Sequence, residues 1–179
     1  MVAFVRARGL DGATVLEAGG GVGAIQLELL EAGAERSVNV ELSPAYEQEA
    51  RLLLREAGRE ERVERRIGDF VRDEAGPADV VVMHRVVCCY PDYEPLVGAA
   101  AERARRALVL SYPREAWWSK LAFAAFNLVQ RLRRRKFRAY VHPAAGIVGA
   151  AERRGLHRAL DGRGFFWQVA GLERSAPVP

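Results

Sequence analysis

The residues best suited to chemistry begin with a glycine-rich turn that follows an acid. Glu17 closes an apolar run, and Gly19, Gly21 and Gly23 come directly after it. Glycine lets the backbone approach a ligand closely, and the amide groups at the start of a following helix favour polar or anionic ligands. Because tight strand-to-helix turns without a ligand carry the same glycines, this turn alone does not specify a function.

Two further acids stand at the ends of the next two predicted strands, 37–42 and 63–67. Glu41 lies 18 residues past Gly23, where a carboxylate can accept hydrogen bonds from both hydroxyls of a ribose. Asp69 can accept from an adenine amino group while the neighbouring ring of Phe70 covers the base. We interpret Glu17 as an acid that meets a ligand ammonium group through the backbone and ordered water. Three acids at predicted strand ends together favour a nucleotide-like ligand.

A third group of candidate residues follows the most apolar run of the chain. His84 can deprotonate an acceptor because the ordinary pKa of histidine is near 6.5. We take His84 and Tyr90 as candidate catalytic residues and Arg85 as a further contact to the acceptor. The alternative to a catalytic role is that His84 ends a strand and packs under the ligand. Cys88 and Cys89 fit small apolar wall residues better than nucleophiles.

The apolar runs of the sequence indicate the fold that positions these residues. Segments of helix length separate the predicted strands, which indicates an α/β fold: a Rossmann-like three-layer sandwich with a mostly parallel sheet between two layers of helices. Ligands of such sheets bind at the carboxyl ends of the strands. A turn at 162–164 joins the last two strands in a late hairpin. The predicted strands are 13–18, 37–42, 63–67, 79–83, 107–112, 156–160 and 165–172.

The motifs resemble those of class I S-adenosylmethionine-dependent methyltransferases over about residues 13–112. The resemblance implies a seven-stranded sheet with an antiparallel last strand and S-adenosyl-L-methionine as the cofactor. It implies that the turn at 19–23 holds the methionine part of the cofactor, Glu41 the ribose, and Asp69 with Phe70 the adenine. The predicted cofactor site also includes two residues beside these motifs, Leu42 and His84.

The second half of the chain is similar to magnesium-protoporphyrin O-methyltransferases. The similarity lies in a long apolar helix, a basic stretch and three short motifs, Ser111-Tyr112-Pro113-Arg114, Tyr140-x-His142-Pro143 and Phe165-Phe166-Trp167. The expected function is therefore methyl transfer to a small molecule, with oxygen as the acceptor atom. Signatures of DNA methyltransferases, Asn/Asp-Pro-Pro-Tyr/Phe and Pro-Cys, are absent from the loop after 79–83, so a nucleic-acid acceptor is not expected.

Composition sets the remaining limits. The 179 residues suit a single methyltransferase domain, 1–179, in which the N-terminal cap is short or missing and 114–140 forms a lid or insertion helix. The chain has 27 Lys and Arg against 23 Asp and Glu, which favours an anionic partner only weakly. The adjacent cysteines fit a reducing cytoplasm, and no signal peptide is evident. With three histidines and no cysteine spacing typical of zinc, we expect no metal.

The basic run 131–138 allows several interpretations. The simplest is a solvated helix end, where cations are favoured by the helix dipole. Trp117, Trp118 and Phe126 precede the run on the same element, so a lid over a hydrophobic, anionic acceptor and a peripheral contact with a membrane surface both stay open. The oligomeric state is not predicted.

Three alternative functions also stay open. Gly19-x-Gly21-x-x-Ala24 with Glu41 fits an NAD-binding oxidoreductase, although Glu17 and Asp69 have no role there. A non-catalytic module that binds the cofactor is suggested by the short segment before the first strand. An RNA methyltransferase rests on the basic run alone.

Overall fold

Strands and helices alternate along most of the chain, as the spacing of its apolar runs predicts. The computed structural model describes residues 1–175. Within them the strands are β1 Thr14–Ala18, β2 Arg36–Glu41, β3 Val63–Ile67, β4 Ala78–His84, β5 Ala104–Pro113, β6 Leu156–Arg163 and β7 Trp167–Arg174. The α-helices are α1 Val2–Arg6, α2 Ala24–Glu31, α3 Glu47–Glu56, α4 Tyr93–Arg103, α5 Trp117–Leu132 and α6 Ala144–Glu152.

The strands form one sheet of seven in the order β3-β2-β1-β4-β5-β7-β6. Neighbours from β3 to β5 are parallel, whereas β7 runs antiparallel to both β5 and β6. The predicted fold class, with its antiparallel last strand, is therefore confirmed. Because β1 to β4 run in one direction, the loops that follow them meet at one edge of the sheet.

Side chains on β4 show how the three layers are held together. Val81 and Met83 face a core shared with α4 and α6, whereas Val80 and Val82 face a second core shared with α1, α2 and α3. Complete burial on both faces explains why this strand is a continuous apolar run. Each such side chain contributes about 2 kcal/mol through burial. The sheet thus forms a rigid base for the loops at its edge.

The structure corrects the predicted hairpin. The turn predicted at 162–164 is wrong: β6 continues to Arg163, which pairs with Gln168 in β7, so the turn is 164–166. Since β6 is an edge strand with many exposed side chains, its apolar pattern does not mark where it ends. Beyond β2, Ser43 caps the turn at 44–46, because its Oγ accepts a hydrogen bond from the Ala45 amide at 3.3 Å.

The predicted insertion consists of α5 and the segment that follows it. Trp118 of α5 stacks on Phe165 with ring centroids 4.8 Å apart, and Phe123 stacks on Phe166 at 5.7 Å. The helix is thus attached to the rest of the protein by aromatic side chains at the β6–β7 turn. No helix within residues 1–175 combines the length and the hydropathy needed to cross a membrane.

Candidate functional site

A cavity of about 710 Å³ opens at the carboxyl ends of β1 to β4. Its walls come from the turn after β1, the end of β2 and the residues beyond it, the start of the β3–β4 loop, and the loop after β4. Phe137, from the segment after α5, completes the rim. The cavity therefore lies where a parallel sheet of this kind binds its ligands.

Most of the predicted site residues line this cavity, and three do not. Those in the wall are Gly19, Gly21, Glu41, Leu42, Asp69, Phe70 and Tyr90. Glu17 and Gly23 lie behind the wall, and His84 lies beside it. Glu17 is a buried side chain below the glycine turn, and Gly23 is the N-terminal cap of α2.

The glycine turn presents bare backbone to the cavity, and at two of its positions a side chain would not fit. Gly19 has φ of +62°, and a Cβ at this position would lie 2.6 Å from a methyl group of Val86. A Cβ on Gly20 would lie 2.2 Å from Asn39 Nδ2. The sequence prediction missed Gly20, since the demand for glycine there comes from Asn39 and Glu17 packed beneath the turn rather than from the backbone angle.

Two charged side chains fix the middle of the turn. Glu41 Oε2 accepts a hydrogen bond from the Gly21 amide at 2.9 Å, and Glu41 Oε1 accepts from the Ser43 amide at 2.8 Å. On the other side of the same residue, Arg65 Nη2 donates to the Gly21 carbonyl at 2.9 Å. Arg65 also binds Glu47 and has a side chain only 6% exposed. The charged residues of β3 gave no sequence signal for this role of Arg65.

Glu17 is a buried carboxyl group beneath the turn. Its side chain is packed under Gly20, and Asn39 Nδ2 donates to Glu17 Oε2 at 3.4 Å. Burial raises the pKa of Glu17 to about 7, although the positive charge of Arg65 opposes the rise. Glu17 therefore supports the turn from below and has no surface in the cavity.

Asp69 and Tyr90 form one unit in the cavity wall. The Tyr90 hydroxyl donates to the Asp69 carboxylate, with distances of 3.1 and 3.0 Å to its two oxygens, and the Val71 amide donates to Oδ1 at 3.0 Å. Burial and the adjacent Asp69 raise the pKa of Tyr90 above its ordinary value. Phe70 is buried next to them, under the guanidinium of Arg103.

The hydroxyl group of Ser111 connects the other two candidates, His84 at the end of β4 and Arg85 just after it. Ser111 Oγ lies 3.0 Å from His84 Nδ1 and accepts a hydrogen bond from the Arg85 amide, also at 3.0 Å. Burial, with the positive charge of Arg85, lowers the pKa of His84. Arg85 has φ of +58°, which is strained for a residue with a side chain, and its guanidinium lies 4.8 Å from the ring of Trp167.

Within residues 1–175 no group of three or more His, Cys, Asp or Glu side chains is placed to hold a metal ion. The donors at the cavity are instead suited to an organic ligand. They offer an open backbone at the glycine turn, carboxylate oxygens at two strand ends, and apolar walls between them. This set fits an adenosine with a charged tail.

The comparisons with known proteins agree with that fit. A family described as a methyltransferase domain matches residues 2–166. Magnesium protoporphyrin IX methyltransferase from Synechocystis PCC 6803, solved with bound S-adenosylhomocysteine, is 25% identical with a TM-score of 0.80; the match covers 97% of this chain and 80% of that one. A second structure of that protein, solved with bound S-adenosylmethionine, is 24% identical with a TM-score of 0.75; the match covers 97% of this chain and 76% of that one.

An O-methyltransferase family protein from Burkholderia thailandensis has the same fold at 21% identity, with a TM-score of 0.78 and coverages of 99% of this chain and 56% of that one. No curated protein sequence matches significantly. The chain belongs to the methyltransferase-domain family, so it is an enzyme whose cofactor is S-adenosyl-L-methionine. The family match gives no support to an NAD-binding oxidoreductase or to a non-catalytic module.

Proposed function

We propose that the enzyme transfers a methyl group to an oxygen atom of a small molecule that carries a negative charge and an apolar body. The observation that carries this proposal is the composition of the cavity wall. Away from the strand-end residues that would bind the cofactor, the wall includes Arg85, Val86, Cys89 and Tyr90 from the loop after β4, and Phe137 at the rim. Such a wall offers one cation and several apolar surfaces to an acceptor.

In the same proposal, the residues at the strand ends bind the cofactor. Gly19 and Gly21 would hold its methionine part, Glu41 and Leu42 its ribose, and Asp69 with Phe70 its adenine. Glu41 fits this role because each of its oxygens is held by a single backbone amide, which leaves lone pairs for ribose hydroxyls. When bound, S-adenosyl-L-methionine supplies an electrophilic methyl group on a sulfonium, and transfer to oxygen leaves a neutral thioether.

An acceptor that is already an oxyanion needs no base from the enzyme, and the chain's own residues support this route. Tyr90 keeps its proton at neutral pH because of its raised pKa. His84 faces Ser111 rather than the cavity. Arg85 would bind the anionic acceptor and orient it, and orientation supplies much of the rate in an in-line displacement. A carboxylate or an acidic phenol meets these conditions.

A methyl-transfer assay tests the proposal directly. The full chain with methyl-labelled cofactor is offered apolar carboxylates, acidic phenols, and amines with the same carbon skeletons. We expect transfer to the oxygen acids and, for carboxylates, a product that alkali hydrolyses to methanol. Arg85→Gln should raise the acceptor KM about tenfold or more, while the cofactor Kd stays unchanged. Transfer to amines alone would refute the proposed acceptor class.

A further inference from the structure

Helix α5 exposes an apolar surface along about half of its circumference. Trp117, Leu121, Leu128 and Leu132 are 77, 63, 58 and 74% exposed. Their successive spacings of four, seven and four residues place them in one stripe, and Phe126 and Val129 widen it on one side. Only Ser119 and Gln130 of this helix are buried. A large unpartnered apolar surface of this kind marks an interaction site.

The positive charge of the protein is concentrated around this surface. Residues 116–151 contain seven Lys and Arg and no Asp or Glu, so the segment carries +7 while the whole chain carries +4. Six of these cations form the run at the carboxyl end of α5, from Arg131 to Arg138. The residues of this run other than Arg138 are exposed. The partner must therefore be both apolar and anionic.

The surface extends to the mouth of the cofactor cavity. Phe137, at the end of the basic run, lines the cavity and packs edge-on against Phe126 of α5 with ring centroids 6.1 Å apart. Asn127 holds the returning chain with two hydrogen bonds to Ala139, of 2.7 and 2.9 Å. A partner bound along α5 would thus lie beside the cavity entrance.

We propose that α5 and the basic run form a docking surface for an anionic phospholipid bilayer. The helix would lie in the plane of the interface, with its apolar stripe among the upper acyl chains and the arginines against lipid phosphates. Two other occupants fit this surface poorly. A second copy of the chain would bring two +7 segments together, and RNA would leave the apolar stripe in water.

Vesicle co-sedimentation with the full chain tests the proposal. The probes are vesicles of phosphatidylcholine alone and of phosphatidylcholine with 30% phosphatidylglycerol, without an acceptor. We expect binding to the anionic vesicles, weak binding to the neutral ones, and release by 1 M NaCl, where the Debye length is about 3 Å. On binding, the tryptophan fluorescence should shift to shorter wavelength as Trp117 leaves water.

Two variants separate the apolar and the ionic contributions. Trp117→Gln with Leu121→Gln and Leu128→Gln removes the stripe, and Arg133→Gln with Arg135→Gln and Lys136→Gln removes three charges. Because these side chains are exposed, both variants should fold and bind the cofactor normally. Each should weaken binding to anionic vesicles on the order of 100-fold. Arg51→Gln with Leu52→Gln and Arg55→Gln on α3 is the matched control and should bind like the wild type.

Several outcomes would overturn the proposal. These are no binding to anionic vesicles, equal loss in the α3 control, binding that the two α5 variants retain, or a stable dimer that buries Trp117. Binding of RNA without binding of vesicles would also refute it. Since no methyl acceptor is used, these results are independent of the proposed acceptor chemistry.

Discussion

Arg65 reaches from β3 across β2 to donate a hydrogen bond of 2.9 Å to the carbonyl of Gly21. The amide of the same glycine is held by Glu41 at 2.9 Å. The peptide groups on both sides of Gly21 are therefore fixed before any ligand arrives. A turn that is already in its binding geometry loses less conformational entropy when the cofactor binds.

Arg65→Gln should therefore weaken cofactor binding. The variant loses a charge-assisted hydrogen bond and leaves Glu47 without a partner on β3, which costs about 2 kcal/mol of unfolding free energy. We expect the cofactor Kd to rise about tenfold, measured by calorimetry. Arg66→Gln, on the neighbouring residue of the same strand, is the control and should leave the Kd unchanged. Equal effects of the two variants would show that Arg65 has no special role.

Gly20→Ala tests the close packing beneath the turn. The added Cβ would lie 2.2 Å from Asn39 Nδ2 and 2.4 Å from Glu17 Oε2, so the turn must move. We expect a loss of about 2 kcal/mol in stability and a cofactor affinity too weak to measure at micromolar concentrations. Gly76→Ala, where nothing lies within 4 Å of the new Cβ, should change stability by less than about 0.5 kcal/mol.

The buried carboxyl of Glu17 should make stability depend on pH. Burial raises its pKa from 4.5 to about 7, so the folded state binds a proton more tightly than the unfolded state. The stability that this bound proton contributes is fully present below pH 4.5. It is lost as the pH rises toward 7, so that the free energy of unfolding falls by about 3 kcal/mol in total. Glu17→Gln should remove this decline in denaturation experiments from pH 5 to 8, whereas exposed Glu49→Gln should keep it. A parallel decline in both variants would contradict the assignment.

The parallel part of the fold could be predicted from sequence because each buried strand is an apolar run of its own. The predicted strands also placed Glu41 and Asp69 at strand ends, and parallel strands bring those ends to one cavity. The end of edge strand β6 was harder to predict, since most of its side chains are exposed and form no apolar run. Its end at Arg163 depends on pairing with β7.

Contacts between distant residues explain what the sequence could not reveal. Arg65 acts on a carbonyl 44 positions away, and Tyr90 binds a carboxylate 21 positions away. Neither contact has a local pattern. Tyr90 was predicted as a catalytic residue from its loop alone, whereas its hydroxyl is directed to Asp69. The position of Phe137 at the cavity could not be predicted for the same reason, because Phe137 reaches the cavity only after the chain has turned back from α5.

Tyr90→Phe distinguishes a positioning role from a catalytic one. Loss of the hydroxyl leaves Asp69 with the Val71 amide but without its second donor. We expect the cofactor Kd to rise three- to tenfold while kcat falls less than threefold, since the raised pKa keeps the phenol protonated. Asp69→Ala should weaken cofactor binding further. Unchanged cofactor affinity with a large loss of kcat would assign Tyr90 to the acceptor instead.

His84→Asn tests the proposal that the acceptor supplies its own oxyanion. The pKa of His84 lies below its ordinary 6.5, so the ring is neutral at pH 7 and gains its charge only in more acidic solution. Protonation there would place a cation beside Arg85 and disturb the Ser111 hydroxyl that holds its amide. We expect kcat/KM of the wild type to fall with pH below 6.5 and the variant to lose this dependence, with less than a tenfold decrease in kcat at pH 8. A general base would contribute about 100-fold or more. A loss of that size in kcat, with the cofactor Kd unchanged, would make His84 the base and require an acceptor that enters as a neutral hydroxyl.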